Sequence, residues 1–159
     1  MPKNTSKNLS RSRSTQRPPK MSRAHLGEVL AKNFLKKTPL REEILLILSH
    51  AKDPLSQGEL ISALTKTLNA GADRVSVYRN LNMLKKVGLV HEVEVNKYVF
   101  CSHRCEDHAH ILLFCQSCHK HREVTDHTRI DHFMEMLGDF RFFSRRQPLF
   151  VSGRCAACG

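Results

Sequence analysis

Four of the six cysteines form two Cys-x-x-Cys pairs, Cys115 with Cys118 and Cys155 with Cys158. Two intervening residues let one tight turn direct both thiolates toward the same point, and two such turns supply the four soft ligands of a closed tetrahedral Zn²⁺ site. Four protein ligands leave no open position for water, so such a site is structural and not catalytic. The pattern therefore predicts a structural zinc that joins residues 155–158 to the middle of the chain.

A second group of potential ligands begins before the first cysteine pair. It consists of His91, Cys101, His103, Cys105, His108 and His110, followed by Glu123. Histidine and cysteine at this density are more typical of a metal-ligand cluster than of scattered surface residues. The x-x spacing of the cysteine pairs and this neighbouring His-rich stretch favour metal binding over disulfides. A thiolate in the second group favours Zn²⁺ over the harder ions Fe²⁺ and Mn²⁺.

The net charge of the chain predicts a polyanionic partner. Its 159 residues carry 26 Lys and Arg against 15 Asp and Glu, for a formal net charge of +11. This balance suits nucleic acid. No segment approaches the roughly 18 consecutive apolar residues of a membrane span, and the basic, polar N-terminal segment has no apolar stretch of the kind found in secretory signals. We expect a cytoplasmic protein without a membrane segment or a small-molecule substrate.

The ligands need elements that position them, and the first half of the chain predicts helices followed by a hairpin. Residues 1–22 are basic and poor in apolar side chains, which predicts a segment that does not fold by itself, either a disordered tail or a basic arm that follows the DNA backbone. Apolar residues recur at helical spacing after Ser22, from Leu26 to Phe34 and Leu35. Thr38-Pro39 predicts the start of a second helix, and the Ser56/Glu59 capping box predicts the start of a third. Asp73 predicts the start of a fourth.

From Leu89 the apolar period changes from 3.6 to 2, which predicts a hairpin of residues 89–95 and 98–100 with its turn at Asn96-Lys97. Helices followed by a two-stranded hairpin form a winged helix-turn-helix. The second half has strand candidates at residues 111–114 and 148–151 around a helix at about 125–137. The fold class is therefore α+β, with a winged-helix DNA-binding domain over residues 23–100 and a small α/β domain over residues 101–159.

The fourth helix has the composition of a recognition helix. Val77, Leu81 and Leu84 share one face and are predicted to enter the core. Polar groups on the other face can reach phosphates or base edges, since Arg pairs with guanine and Asn with adenine in the major groove. The predicted DNA-binding residues are Arg74, Ser76, Tyr78, Arg79 and Asn80.

Three features together resemble the ferric uptake regulator family. Ser76-Val77-Tyr78-Arg79-Asn80-Leu81 is similar to the Thr-Val-Tyr-Arg-x-Leu signature of the family, with Ser in place of Thr. Arg41 with Ile44-Leu45 resembles its Arg-x-x-Ile-Leu segment, and the cysteine pairs match its structural zinc site. The resemblance covers roughly residues 25–159. It implies a metal-dependent dimeric repressor, in which the second domain forms a homodimer and the first binds double-stranded operator DNA.

The resemblance also implies a regulatory ligand set of His91, Cys101, His108 and Glu123. Glu123 follows Cys118 by five residues, like the glutamate ligand of the family. Cys101 stands where iron-sensing members carry Glu, and His108 precedes Cys115 by seven residues, as in zinc-sensing members. The alternative ligands are Cys105, His110 and His103. With the structural site, this makes two Zn²⁺ per subunit and implies repression of zinc-uptake genes.

Other functions fit the sequence less well. An iron- or manganese-responsive repressor of the same family is the nearest alternative, and a peroxide sensor is a more distant one. A zinc hydrolase or deaminase is disfavoured, because no His-Glu-x-x-His pattern occurs and the four-thiolate site leaves no open position for water. A zinc-ribbon interaction module without DNA binding would leave the recognition-helix pattern unexplained. We therefore expect a regulator and not an enzyme.

Overall fold

The computed structural model describes residues 21–68, 72–101, 111–124, 126–142 and 148–159, without the side chain of His127. Eleven helices and strands run in the order α1 Arg23–Lys32, α2 Pro39–His50, β1 Leu55–Ser56, α3 Gln57–Leu68, α4 Arg74–Lys86, β2 Val90–Glu94, β3 Lys97–Phe100, β4 Ile111–Cys115, β5 His121–Val124, α5 His127–Asp139 and β6 Leu149–Gly153. This mixture of helices and antiparallel hairpins confirms the predicted α+β class.

The predicted helix starts of the first half are confirmed. The hydroxyl of Thr38 accepts the N–H of Arg41 at the start of α2, and the carboxylate of Asp73 accepts the N–H of Ser76 at the start of α4. Ser56 and Glu59 form the reciprocal capping box: the N–H of Ser56 donates to the Glu59 carboxylate (2.7 Å) and the N–H of Glu59 to the Ser56 hydroxyl (3.2 Å). Each cap satisfies N–H groups that no helical carbonyl can reach.

The predicted extension of α1 to Phe34 is wrong. The helix ends at Lys32, and Phe34 has φ +54° and a side chain that is 98% exposed. Leu35 still packs against the core, because the loop after α1 returns the chain toward α2. Helical spacing of Phe34 relative to Leu30 was therefore coincidental, since its side chain faces solvent.

The predicted hairpin is present as β2 and β3, with a bulge between Glu92 and Glu94. The turn lies at residues 95–96, so Lys97 already belongs to β3. The short strand β1, which the sequence did not predict, pairs antiparallel with β3 and gives the sheet order β1-β3-β2. The helices and this wing share one core, and its fully buried members include Leu26, Leu30, Ile44, Leu45, Leu60, Leu64, Val77, Leu81, Leu84 and Val90.

A second sheet, in the order β5-β4-β6, forms the other half of the described chain. Strand β4 pairs antiparallel with β5 and parallel with β6. Helix α5 begins after Asp126, whose carboxylate accepts the N–H of Arg129, and buries Ile130. Within the described ranges, no helix is long and apolar enough to cross a membrane.

Candidate metal centre and nucleic-acid interface

The register of the second sheet brings the two cysteine pairs together. Cys115 is the last residue of β4 and lies opposite Gly153, the last residue of the parallel strand β6. After each of these two strands the chain turns through a Cys-x-x-Cys segment. The N–H of Gln116 donates to the carbonyl of Gly153 (2.8 Å). Parallel strands place their carboxyl ends at the same edge, so residues 40 apart in sequence meet there.

The four cysteine side chains fit a tetrahedral zinc site. Their Sγ atoms all lie within 4.8 Å of one another, and Cys118 Sγ is 3.8 Å from Cys155 Sγ. A tetrahedron with Zn–S bonds of about 2.3 Å has sulfur–sulfur edges of about 3.8 Å, so the observed spacing is that of a Zn²⁺ ligand set. None of the five described cysteines forms a disulfide. The site has no room for a fifth, catalytic ligand in this geometry.

The thiols of this cluster differ in acidity. Hydrogen bonds from the backbone N–H groups of Cys118 and then Cys155 lower the pKa of Cys115 to about 6. Hydrogen bonding to Cys155 and Cys118 raises the pKa of Cys158 to about 12, and the neighbouring Cys115 adds to the rise. Four thiolates this close repel one another, and a divalent cation offsets that repulsion. The cluster is therefore more stable with a bound divalent metal than as four thiolates without one.

Two of the predicted regulatory ligands lie together at the base of the wing. His91 pairs with Val99 across β2 and β3, and the N–H of Cys101 donates to the carbonyl of Leu89 (3.0 Å). Alternate residues of a strand share a face, so His91 and Cys101 are diagonal neighbours on one face of the wing. Both side chains are buried, at 7% and 5% exposure. A buried imidazole and a buried thiol on one face of the wing are donors of the kinds that zinc prefers.

The other predicted regulatory ligands are not assembled with this pair in the described part of the chain. Glu123 is half-buried on β5, opposite Leu112. His103, Cys105, His108 and His110 lie outside the described residues. Among described side chains, the four-cysteine cluster is the one set of three or more potential ligands whose donor atoms lie within 4.8 Å of one another.

One residue near Glu123 was not singled out from the sequence. His121 lies two residues earlier on the same face of β5, and its Nδ1 is buried without a hydrogen-bond partner among the described residues. Burial lowers the pKa of His121, while the carboxylates of Asp53 and Glu123 oppose that shift. Asp53 belongs to the segment between α2 and β1, so this strand adjoins the first half of the chain. The alternation of His121 and Glu123 along β5 could have indicated their shared face.

Helix α4 presents a basic, polar face to solvent. Val77, Leu81 and Leu84 are fully buried, as predicted, and this fixes the opposite face outward. Arg74 and Arg79 are exposed, and Tyr78 is 51% exposed. Their positions in the first two turns are those from which a recognition helix contacts the major groove.

Asn80 is less available than these three residues. Its side-chain oxygen accepts the Nε–H of Arg41 (3.1 Å), and its amide donates to the carbonyl of Ser76 (2.8 Å). Arg41 also contacts the carbonyl of Lys36 and the sulfur of Met83. Arg41 thus connects α2 and the loop before it to the recognition helix, a role in orientation that the family-like motif around Arg41 did not indicate.

Comparison with known proteins agrees with this architecture. The profile described as "Ferric uptake regulator family" matches residues 32–142. The zinc uptake regulation protein of Escherichia coli (strain K12) is 28% identical over 138 residues, which cover 85% of this chain and 80% of the relative. A solved structure of a zinc uptake regulator complexed with zinc and DNA has a TM-score of 0.66 and 27% identity, with 85% and 91% of the two chains covered.

A second solved structure, the ferric uptake regulator of Helicobacter pylori, has a TM-score of 0.56 and 25% identity, and the match covers 85% of this chain and 89% of that one. The family profile runs from the end of α1 through the wing, β4 and β5 to just after α5, and β6 lies beyond it. The match covers more than half of the chain, and the fold agrees with the solved structures, so this chain is a member of the ferric uptake regulator family.

Proposed function

We propose that this protein is a zinc-responsive transcriptional repressor that binds operator DNA as a dimer when its regulatory site is filled, and so represses zinc-uptake genes in the cytoplasm. The observation that carries the proposal is a buried imidazole–thiol pair, His91 and Cys101, in the wing of a domain whose recognition helix exposes arginines. The similarity to zinc uptake regulators supports the same assignment.

Two zinc ions per subunit would have different roles. One is held permanently by Cys115, Cys118, Cys155 and Cys158, where it supplies folding energy to the second half. The second is held by His91, Cys101, His108 and Glu123. Its thiolate and imidazole donors suit zinc better than iron or manganese.

The regulatory ligands come from both halves of the chain. His91 and Cys101 belong to the wing, whereas Glu123 belongs to the second sheet and His108 to the segment between them. The side chains of His91, Cys101, His108 and Glu123 would hold the ion, which would accept an electron pair from each of them. The ligands then restrict the angle between the two halves, and in a dimer this angle sets the distance between the two recognition helices.

Zinc affinity and DNA affinity are coupled in this scheme. The ligands favour the DNA-competent arrangement only to the extent that they bind metal more tightly in that arrangement. Because coupling between sites is reciprocal, operator DNA must also tighten zinc binding by the same factor.

The proposed dimer interface is the surface that carries the exposed apolar side chains of α5 and β6. Phe133 and Met136 lie one turn apart on α5 and Phe140 caps its end, with 37%, 43% and 77% exposure, and Phe150 and Val151, on opposite faces of β6, are about half-exposed. Large apolar side chains at this exposure favour burial against a partner. β6 is also at the edge of the described sheet, and edge strands favour pairing. We infer that a second copy of the chain covers this surface.

The proposed domain division keeps residues 1–22 as a basic tail, 23–100 as the DNA-binding domain and 101–159 as the dimerisation domain. Arg74, Tyr78 and Arg79 are the proposed direct DNA contacts on α4. Ser76 is half-buried at the same end of the helix, and Asn80 contributes through its contact with Arg41.

The decisive experiment is binding of the purified dimer to its own promoter region under buffered free metal, comparing Zn²⁺ with Fe²⁺ and Mn²⁺ without oxygen. Zinc sensing predicts tight binding at free Zn²⁺ on the order of picomolar to sub-nanomolar, a range consistent with thiolate-containing zinc sites. Activation by Fe²⁺ or Mn²⁺, with zinc filling only the four-cysteine site, would contradict the zinc-sensing proposal and favour an iron or manganese regulator.

A further inference from the structure

The turn that carries the first cysteine pair closes with a residue in a strained backbone conformation. His119 follows Cys118 directly and has φ +57°, in the left-handed region that favours glycine. Its N–H donates to the carbonyl of Cys115 (2.8 Å), so this conformation completes the zinc turn. A residue with a Cβ destabilises this position relative to glycine, and such strain often accompanies a function of the side chain.

The side chain of His119 reaches the wing. Its Nδ1 lies 3.4 Å from Oε1 of Glu94, the last residue of β2, and its ring packs beside Phe114 with 6.0 Å between centroids. Lys97 Nζ lies 3.1 Å from the other oxygen of Glu94. An Nδ1–H can donate to a carboxylate in both the neutral and the protonated ring, so the contact does not require a charged histidine.

The β4–β5 hairpin adjoins the first half at a second point as well. His121, two residues after His119, has a buried Nδ1 and interacts electrostatically with Asp53, which precedes β1. The β4–β5 hairpin therefore faces the first half of the chain at two points, with His119 beside Glu94 and His121 near Asp53.

We propose that His119 is a positioning residue: it retains a strained backbone at the zinc turn because its side chain fixes the wing, through Glu94, against the zinc-bound half. The consequence concerns DNA and not zinc. If the orientation of the winged helix is partly set by this contact, its loss broadens the range of distances between recognition helices in the dimer. Operator affinity then falls without loss of either metal. This inference rests on the proposed DNA-binding function.

The replacement His119→Gly separates the orientation of the wing from the stability of the protein. It should lower operator affinity while leaving the melting temperature unchanged or higher. Glycine relieves the backbone strain, so the melting temperature of the zinc-loaded dimer should stay constant or rise by about 2–4 °C. Operator affinity at saturating Zn²⁺ should nevertheless fall by roughly 2–5-fold, as expected for a partly exposed contact. A residue with a purely structural role would lower both quantities together.

Two comparisons make the test specific. Arg141 has the same backbone conformation, φ +53°, at the end of α5, so Arg141→Gly relieves similar strain in a segment with a different neighbourhood. It should raise stability with less than a twofold change in operator affinity, within the variation expected for independent surface sites. In a Glu94→Gln background, His119→Gly should lower affinity by less than it does in the native protein, because the partner is already altered.

Wild-type protein that fails to bind DNA with any metal would overturn the function on which this inference rests. Wild-type binding with an unchanged affinity of His119→Gly would overturn the inference alone. An equal loss of affinity in the Glu94→Gln background would also overturn it, since the effect would then not pass through Glu94.

Discussion

The four-cysteine cluster and the proposed regulatory site differ in how their ligands are brought together. Each cysteine pair is arranged by one short turn, and a single register, Cys115 opposite Gly153, joins the two turns. The regulatory ligands instead come from the wing, the second sheet and the segment between them, and His91, Cys101 and Glu123 are not gathered within the same 4.8 Å limit. A site made by local turns suits permanent metal, whereas a site divided between halves can couple metal binding to their orientation.

The largest expected effect comes from Cys115→Ser. Zinc affinity at structural sites is folding free energy of about 10–16 kcal/mol, and serine is a poor ligand for zinc. The second half should therefore lose its structure and the dimer should dissociate, as measured by zinc per subunit, light scattering and hydrogen exchange. A variant that stays dimeric and fully folded would contradict the structural assignment of the cluster.

A smaller effect is expected from Cys101→Ser, which is a matched control because Cys101 and Cys115 are equally buried at 5% exposure. The fold and the dimer should persist with one zinc per subunit. The free Zn²⁺ needed for half-maximal DNA binding should rise more than about 100-fold, since even outer-shell changes cost about 10–100-fold in metal affinity. An unchanged zinc response would indicate that Cys105, and not Cys101, is the thiolate ligand. The contrast between a locally built site and one whose ligands come from the wing would then be weaker.

The smallest of these effects is expected from Arg79→Ala, which should leave both zinc sites unchanged. Loss of one exposed Arg on the recognition helix should weaken operator binding by about 1–3 kcal/mol, roughly 5- to 150-fold, and lower the dependence on salt if the contact is to phosphate. Zinc content and operator affinity would be measured on the same preparation. Unchanged affinity would contradict the placement of α4 in the major groove.

Much of the fold was predictable from the sequence because its signals are local. Thr38-Pro39, the Ser56/Glu59 box and Asp73 are caps whose partners lie three residues away, and all three are present. Alternation after Leu89 predicted the wing. Phe34 shows the limit of such reasoning: its spacing matched α1, yet the chain leaves the helix at Lys32 and exposes the ring.

By itself, the sequence determined the two cysteine pairs, the helix starts, the buried and exposed faces of α4 and the family. Each depends on residue types at short, fixed spacing, which backbone geometry converts directly into structure. The tertiary structure decided what depends on packing between distant segments. It places β1 beside β3, holds Asn80 against Arg41, and brings His119 of the zinc turn to Glu94 of the wing. No short-range spacing encodes these contacts, because they arise only when sheet register and the shared core set the distances between elements.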